Sequence, residues 1–281
     1  MSAKLTGHQY GKSRVRVMKI LRDGATHTVK ELDIAIALAG DFESSYTAGD
    51  NHLVVATDTM KNTVHALAAE HLGLETERFA ATLARHFTTK YPQVKSARVE
   101  ASERVWERLT IGGEPHPHSF SGGQQARPCT IATAEGGAVS MQSGIADLLI
   151  LKSMQSGFEG FPRCEFTTLR ETGDRIFATS LTATWTWSAE PADYNAANRA
   201  ITAALLRPFA LNYSPSVQTT LFQMGEAALL TVPEISRIHL SMPNKHCLPI
   251  DLSPFGLENR NEIFLPTDEP HGLIEATITR E

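Results

Sequence analysis

The chain has 281 residues, 42% of them hydrophobic and 20% charged, with a formal net charge of −5. That length suits about two domains and a sizeable core, and the mildly acidic balance recruits neither nucleic acid nor an anionic membrane. No apolar run approaches the roughly 18 residues of a bilayer span, and disordered, collagen-like and disulfide-scaffold compositions are excluded as well.

The first elements predict an α+β domain. Met1 to Lys12 lacks the apolar core of a signal peptide. Ser13 to Leu21 alternates apolar with polar and predicts a half-buried strand. Asp23-Gly24 predicts a turn into a second strand over Thr26 to Ala37. His52 to Ala56 predicts a further short strand, and Thr57-Asp58-Thr59 offers N-cap chemistry. Met60, Val64, Leu67, Ala68 and Leu72 then follow at helical spacing, with Gly73 as the stop. A second helix carries Phe79, Leu83 and Phe87 and ends before Pro92. Ala97 to Leu109 predicts extended chain, Gly112 to Gly123 a Gly/Pro/His-rich loop, and Cys129 to Ala134 another strand.

The second half runs in the same order. Strands are predicted over Asp147 to Lys152 and Arg175 to Trp187. Helices follow over Pro191 to Leu211, distorted near Arg207-Pro208, and over Ser214 to Leu230. Ile235 to Ser241 and Leu248 to Leu252 complete the set. Tyr91-Pro92 before Ser96 to Glu100 matches Val232-Pro233 before Ser236 to Leu240. Two strands, two helices and two strands, given twice, predict a tandem α+β repeat with antiparallel sheets and helices on one face. The cut is placed at Gly136-Gly137, giving domains 1–136 and 137–281.

Five stretches ask for more than core-building. Lys12 before the opening strand is, taken alone, an ordinary solvated strand end. The polar cluster Ala56 to Thr63 is, taken alone, a helix cap. Gly157-Phe158-Glu159-Gly160-Phe161 sets glycines around an aromatic and lets backbone approach a partner closely. Ser214-Pro215-Ser216-Val217-Gln218 places a glutamine near a helix N-terminus, where free N–H groups favour an anion. Pro243-Asn244-Lys245-His246 reads equally as a turn or as polar side chains reaching a ligand. Metal chemistry finds no support: His116 and His118 are the closest histidine pair and have no further ligand at metal spacing. Nucleotide-loop, zincin and nucleophile-elbow signatures are missing too. Cys129, Cys164 and Cys247 are odd in number and far apart, which fits free thiols in a reducing cytoplasm.

Taken together these stretches resemble the urate oxidase (uricase) family. The resemblance runs through Tyr10-Gly11-Lys12, Val54 to Thr63, Leu149 to Ser153, Gly157 to Phe161, Phe166 to Leu169, Asp174-Arg175-Ile176, Ser214 to Gln218 and Pro243 to His246, in family order over nearly the whole chain. It implies the tunnelling (T-) fold, two domains per chain, and a homotetramer with active sites at subunit interfaces. It also implies oxidation of urate by O2 and water to 5-hydroxyisourate and hydrogen peroxide, with no metal or organic cofactor.

Residue by residue, Arg175 and Gln218 would grip one polar edge of urate, Phe158 would stack on the purine, and the Val217 N–H would add a hydrogen bond. Thr57 and Asp58 of a neighbouring subunit, the latter through its backbone, would close the opposite edge. Asn244 would hold O2 and then water. Lys12, Thr57 and His246 would form a proton relay, since a neutral lysine can act as a base through a hydroxyl. The sequence departs from the family at Gly173, where many members carry an aromatic before the Asp-Arg-Ile, which puts local packing in question. Two alternatives remain open: another T-fold enzyme acting on a purine or pterin by hydrolysis or rearrangement, and a non-catalytic urate binder.

Overall fold

The opening alternation folds as a hairpin. In the computed structural model, which describes residues 3–123 and 126–281 and so leaves Met1 and Ser2 outside, β1 (Tyr10–Asp23) pairs antiparallel with β2 (Thr26–Gly40). A short helix α1 (Glu43–Thr47) precedes the two long helices α2 (Thr57–His71) and α3 (Thr76–Lys90). β3 (Val94–Arg104) pairs with β2 on one side and with β6 (Arg127–Glu135) on the other. Between β3 and β6, β4 (Trp106–Ile111) and β5 (Glu114–Gly122) form a separate hairpin. The period of two in β2 buries Leu32, Ile34, Ile36 and Leu38, and the helical period of α2 and α3 buries Met60, Val64, Phe79, Leu83 and Phe87. α2 lies against β1, and α3 lies against β3 and β6.

The later elements are β7 (Ala138–Lys152), β8 (Phe177–Trp187), α4 (Tyr194–Leu211), α5 (Val217–Thr231), β9 (Ile235–Pro249) and β10 (Phe264–Thr279). β9 is bonded antiparallel to β8 and to β10, and α5 covers β9 and β10. Leu181, Ala183 and Trp185 of β8, Ile238, Leu240 and Met242 of β9, and Leu221, Met224 and Ala228 of α5 are buried together. The local match noted in the sequence is geometric as well. Tyr91 and Val232 end their helices at (φ, ψ) of (−121°, 100°) and (−123°, 99°). Each then accepts, through its carbonyl, the N–H three residues on that opens the next strand, from Val94 and from Ile235.

Packing divides the chain into a unit running up to Gly144 together with Glu190–Asn195, and a second unit of Ile145–Ala189 and Ala196–Glu281. Gly136 and Gly137, where the sequence suggested a cut, both have positive φ (57° and 82°) and form the tight turn between β6 and β7. The start of β7 therefore belongs with the first unit, and the division falls inside that strand.

Four local expectations need correction. His52 to Ala56 is not a strand: its backbone groups are met by side chains, with the Tyr10 hydroxyl bonded to Val55 and Gln93 Nε2 donating to the Leu53 carbonyl at 2.9 Å. Gly112 to Gly123 is not a loop but mostly β5, whose prolines are tolerated because a two-stranded hairpin leaves donors unneeded on its outer edges. Pro243 to His246 is no turn; it lies inside β9, which is paired on both sides whatever the polarity of its side chains. Thr57 is the first residue of α2 rather than its cap, and the cap position, Ala56, supplies no side-chain bond. β10 escaped the sequence because its Asp, Glu and Pro content masks any alternation.

One buried charge anchors the first unit. Lys30 is 5% exposed and its ammonium donates to Glu103 Oε2 at 2.5 Å and to the Leu74 carbonyl at 2.8 Å. Glu103→Ala would leave that ammonium buried without its counter-charge, at a cost of about 3–5 kcal/mol. Arg14→Ala, which removes an 88%-exposed partner of Asp33, would cost about 0–1 kcal/mol. Urea unfolding of the two variants measures the contrast, and equal losses would contradict it.

Candidate active site

The segment joining β7 to β8, residues 153–176, has almost no regular structure, so its shape depends on individual hydrogen bonds. Ser214 supplies the anchor. Its N–H donates to the Gln155 carbonyl at 2.9 Å and its own carbonyl accepts from Gly157 N–H at 2.8 Å. Its buried hydroxyl accepts from Thr220 at 2.6 Å. Phe158 and Thr172 exchange backbone bonds of 2.8 and 3.2 Å, and Arg175 N–H donates to the Ser156 carbonyl at 2.7 Å. Asp174 accepts from Gln155 N–H at 2.6 Å.

Gly157 is required here by space. A Cβ on it would lie 2.2 Å from the Tyr213 hydroxyl and 2.9 Å from the Thr172 carbonyl oxygen. At Gly173 a Cβ would lie 3.3 Å from Glu159 Oε1, so the Glu159 carboxylate borders the place where a larger side chain would go, while Tyr213 donates to the Gly173 carbonyl at 3.0 Å.

These bonds bring Phe158 and Arg175 face to face, with the guanidinium carbon 5.6 Å from the ring centroid, a cation–π distance. Burial draws the Arg175 pKa below its usual value, although a guanidinium stays charged. Across the cavity stands the N-terminus of α5. Ser216 caps it, its hydroxyl accepting from Thr219 N–H at 3.1 Å, which leaves the N–H groups of Val217 and Gln218 outside the helical ladder. Asn244 and His246 enter from β9, where they pair with Gly272 and Thr267 of β10. Phe158, Arg175, Val217, Gln218, Asn244 and His246 therefore line one cavity of about 330 Å³, with Thr172 and the apolar Leu169, Ile176 and Ile274 completing its walls. That volume is at the small end of small-molecule sites.

The other three residues singled out in the sequence belong to the first unit. β1 carries a bulge between Lys12 and Val15, with Arg14 at φ 60°, so that Tyr10 and Lys12 before it and Val15 and Val17 after it share one face. Gly11 lets β1 press against β2, since a Cβ there would sit 1.7 Å from the Ile36 carbonyl oxygen. Thr57 opens α2 with a hydroxyl that has no hydrogen-bond partner among the described residues. The Asp58 carboxylate is occupied by Lys61 at 2.6 Å and Asn62 at 2.8 Å, which leaves its backbone as the free polar group. Those bonds, Lys61 first, hold the Asp58 carboxyl below the usual carboxylate range, and the Lys12 charge is near enough to contribute. Among the described residues no group of three or more His, Cys, Asp or Glu side chains is placed to hold a metal ion.

Sequence reasoning missed Thr179, which lies opposite Asn244 in the β8–β9 register, fully buried and with its hydroxyl unpaired among the described residues. The alternating pattern of β8 gave no sign of it.

Gly157→Ala would push the Tyr213 hydroxyl aside and displace Phe158, lowering the thermal midpoint. Adding Tyr213→Phe to it would recover part of the loss, and a purely additive double variant would contradict the clash. Lys61→Met would raise the Asp58 titration midpoint towards that of an ordinary carboxylate. The depressed value means that any stability Asp58 contributes is present above the unfolded pKa and fades as pH falls through the folded one. Carboxyl NMR titration reads the shift directly, and an unmoved midpoint would count against the assignment.

The comparisons with known proteins converge. The family model described as Uricase matches residues 8–133 and 141–275. The chain is 42% identical to the uricase of Arthrobacter globiformis over 274 residues, covering 98% of this chain and 89% of that protein. It is 40% identical to the uricase of Dictyostelium discoideum over 281 residues, covering 99% and 98%. The crystal structure of the Arthrobacter globiformis uricase superposes with a TM-score of 0.95 at 42% identity, covering 100% of this chain and 96% of that one. Its fold is therefore the α+β tunnelling fold, and the chain belongs to the uricase family.

Proposed function

We propose that this chain is a urate oxidase, converting urate, O2 and water into 5-hydroxyisourate and hydrogen peroxide. The observation that carries the reading is the cavity of the second unit, where an aromatic face, a half-buried guanidinium and an open helix N-terminus converge. A flat purine anion matches all three. Its face stacks on Phe158, and the Arg175 fork meets anionic oxygen and nitrogen. Gln218 offers a donor and an acceptor together, and Val217 N–H adds a further bond.

The electron balance is simple: urate gives up two electrons, O2 takes them up and leaves with two protons as hydrogen peroxide, and water supplies the new hydroxyl. Urate surrenders electrons more readily once it has lost a second proton, so a base is needed. Lys12, through the unpaired hydroxyl of Thr57 and with His246, supplies the relay. Asn244 holds O2 and then water over the ring. Thr57 and the Asp58 backbone close the site from a neighbouring copy in a homotetramer. One feature supports that assembly: Leu149 and Leu151 of β7 are 66% and 55% exposed. The reaction so written asks for no metal or organic cofactor. A cytoplasmic setting agrees with three free thiols.

The test is an aerobic assay of chelator-treated protein that follows urate absorbance, oxygen and peroxide together. Peroxide release with oxygen-dependent loss of urate is expected. Lys12→Ala should lower kcat by about 10²-fold or more and change KM little, whereas Arg175→Ala should act mainly on KM. Binding without turnover by the unmodified chain would instead indicate a urate carrier.

A further inference from the structure

We propose that Tyr10 is a positioning residue that fixes Lys12 against Thr57 by clamping their two backbone segments together. The inference rests on the urate oxidase reading of Lys12 and Thr57, and goes beyond it by naming what holds them. The Tyr10 hydroxyl accepts from Val55 N–H at 2.8 Å and donates to the Val55 carbonyl at 3.1 Å. One side chain thus satisfies both backbone groups of a buried residue that has no strand partner.

The position of this clamp matters. Tyr10 is two residues before Lys12 on one strand, so the two side chains leave the same face of β1. Val55 is two residues before Thr57. The clamp therefore ties points two residues upstream of both relay residues through one hydroxyl. Residues 49–56 are otherwise irregular: apart from the Ala56 carbonyl, which accepts the first bond of α2 from Met60 N–H at 3.1 Å, their tethers sit further from Thr57, among them Gln93 Nε2 on the Leu53 carbonyl and Val54 N–H on the Asn51 carbonyl. The Tyr10 ring is itself held edge-on against the fully buried Phe42, with centroids 4.9 Å apart at 88°. Burial, the larger effect, raises the Tyr10 pKa against the opposing Val55 bond. Its proton is committed to the Val55 carbonyl, so the residue positions the base and does not take part in the transfer.

The sequence placed Tyr10 only as the start of a motif, and no spacing rule connects position 10 with position 55. The strand bulge after Lys12 completes the setting, because it puts Tyr10 and Lys12 on the same face of β1 as Val15 and Val17.

Four enzymes test the inference: unmodified, Tyr10→Phe, Lys12→Ala and the double variant, assayed for peroxide release from urate. Tyr10→Phe should lower kcat about tenfold and leave KM within about twofold. In the Lys12→Ala background the same change should have no further effect on kcat, since the base it positions is gone. Equal fold losses in both backgrounds would mark a merely structural residue and overturn the proposal, as would unaltered kcat in Tyr10→Phe. Full turnover by Lys12→Ala alone would overturn both the relay and the clamp, and an inactive unmodified chain would instead sink the urate oxidase reading itself. Should Tyr10→Phe fail to fold, 3-fluorotyrosine at position 10 keeps the ring and weakens the hydroxyl as an acceptor. A smaller loss of kcat confined to the Lys12-containing enzyme is then expected, and equal losses or none reject the proposal.

Discussion

Everything in the second unit's cavity depends on how Ser214 holds an irregular segment in place. A strand or helix fixes its side chains through a repeating ladder, but residues 153–176 have none. Their substitute is a handful of backbone bonds, from Gln155, Gly157 and Arg175 to their partners, closed on a buried serine just before α5. The two side chains that differ most in chemistry, Phe158 and Arg175, come from opposite ends of this segment. They meet because Arg175 N–H is bonded to the Ser156 carbonyl while the flanking Gln155 and Gly157 are bonded to Ser214, which leads into the N-terminus carrying Val217 and Gln218. The site is thus preorganised by main chain, which costs less entropy than holding long side chains one by one.

The first unit uses a different device. Lys12 rides on a regular strand, and a single extra residue in that strand decides which face it occupies. Without the bulge, the period of two would send Tyr10 and Lys12 to the face opposite Val15 and Val17. Thr57 sits at the start of a helix with no capping side chain before it, which leaves a hydroxyl and free N–H groups at the same corner. Bulge and bare helix end are both departures from the most stable local choice, and both fall at residues the proposed chemistry needs.

Much of this was legible in the residues, for reasons that can be stated element by element. α2 and α3 show themselves because Met60, Val64, Phe79, Leu83 and Phe87 repeat at helical spacing. β1 and β8 show themselves by alternation, and the repeated order of elements follows from those. β5 and β10 did not, because prolines and acidic residues on exposed strands erase the period-two signal. Pro243 to His246 read equally as a turn or as polar side chains reaching a ligand; pairing on both sides makes it a strand, and pairing is a long-range fact. The site residues came from the resemblance rather than from periodicity, and what the resemblance left unseen is the support beneath them. The Tyr10 hydroxyl on Val55 and the Tyr213 hydroxyl above Gly157 join positions far apart in the chain.

The most direct measurement is a crystal structure of the protein with urate bound under anaerobic conditions. The purine should lie parallel to the Phe158 ring, with one polar edge on Arg175 and Gln218 and with Asn244 above its face. Urate bound elsewhere, or standing edge-on to Phe158 with Arg175 unengaged, would contradict the assignment of this cavity.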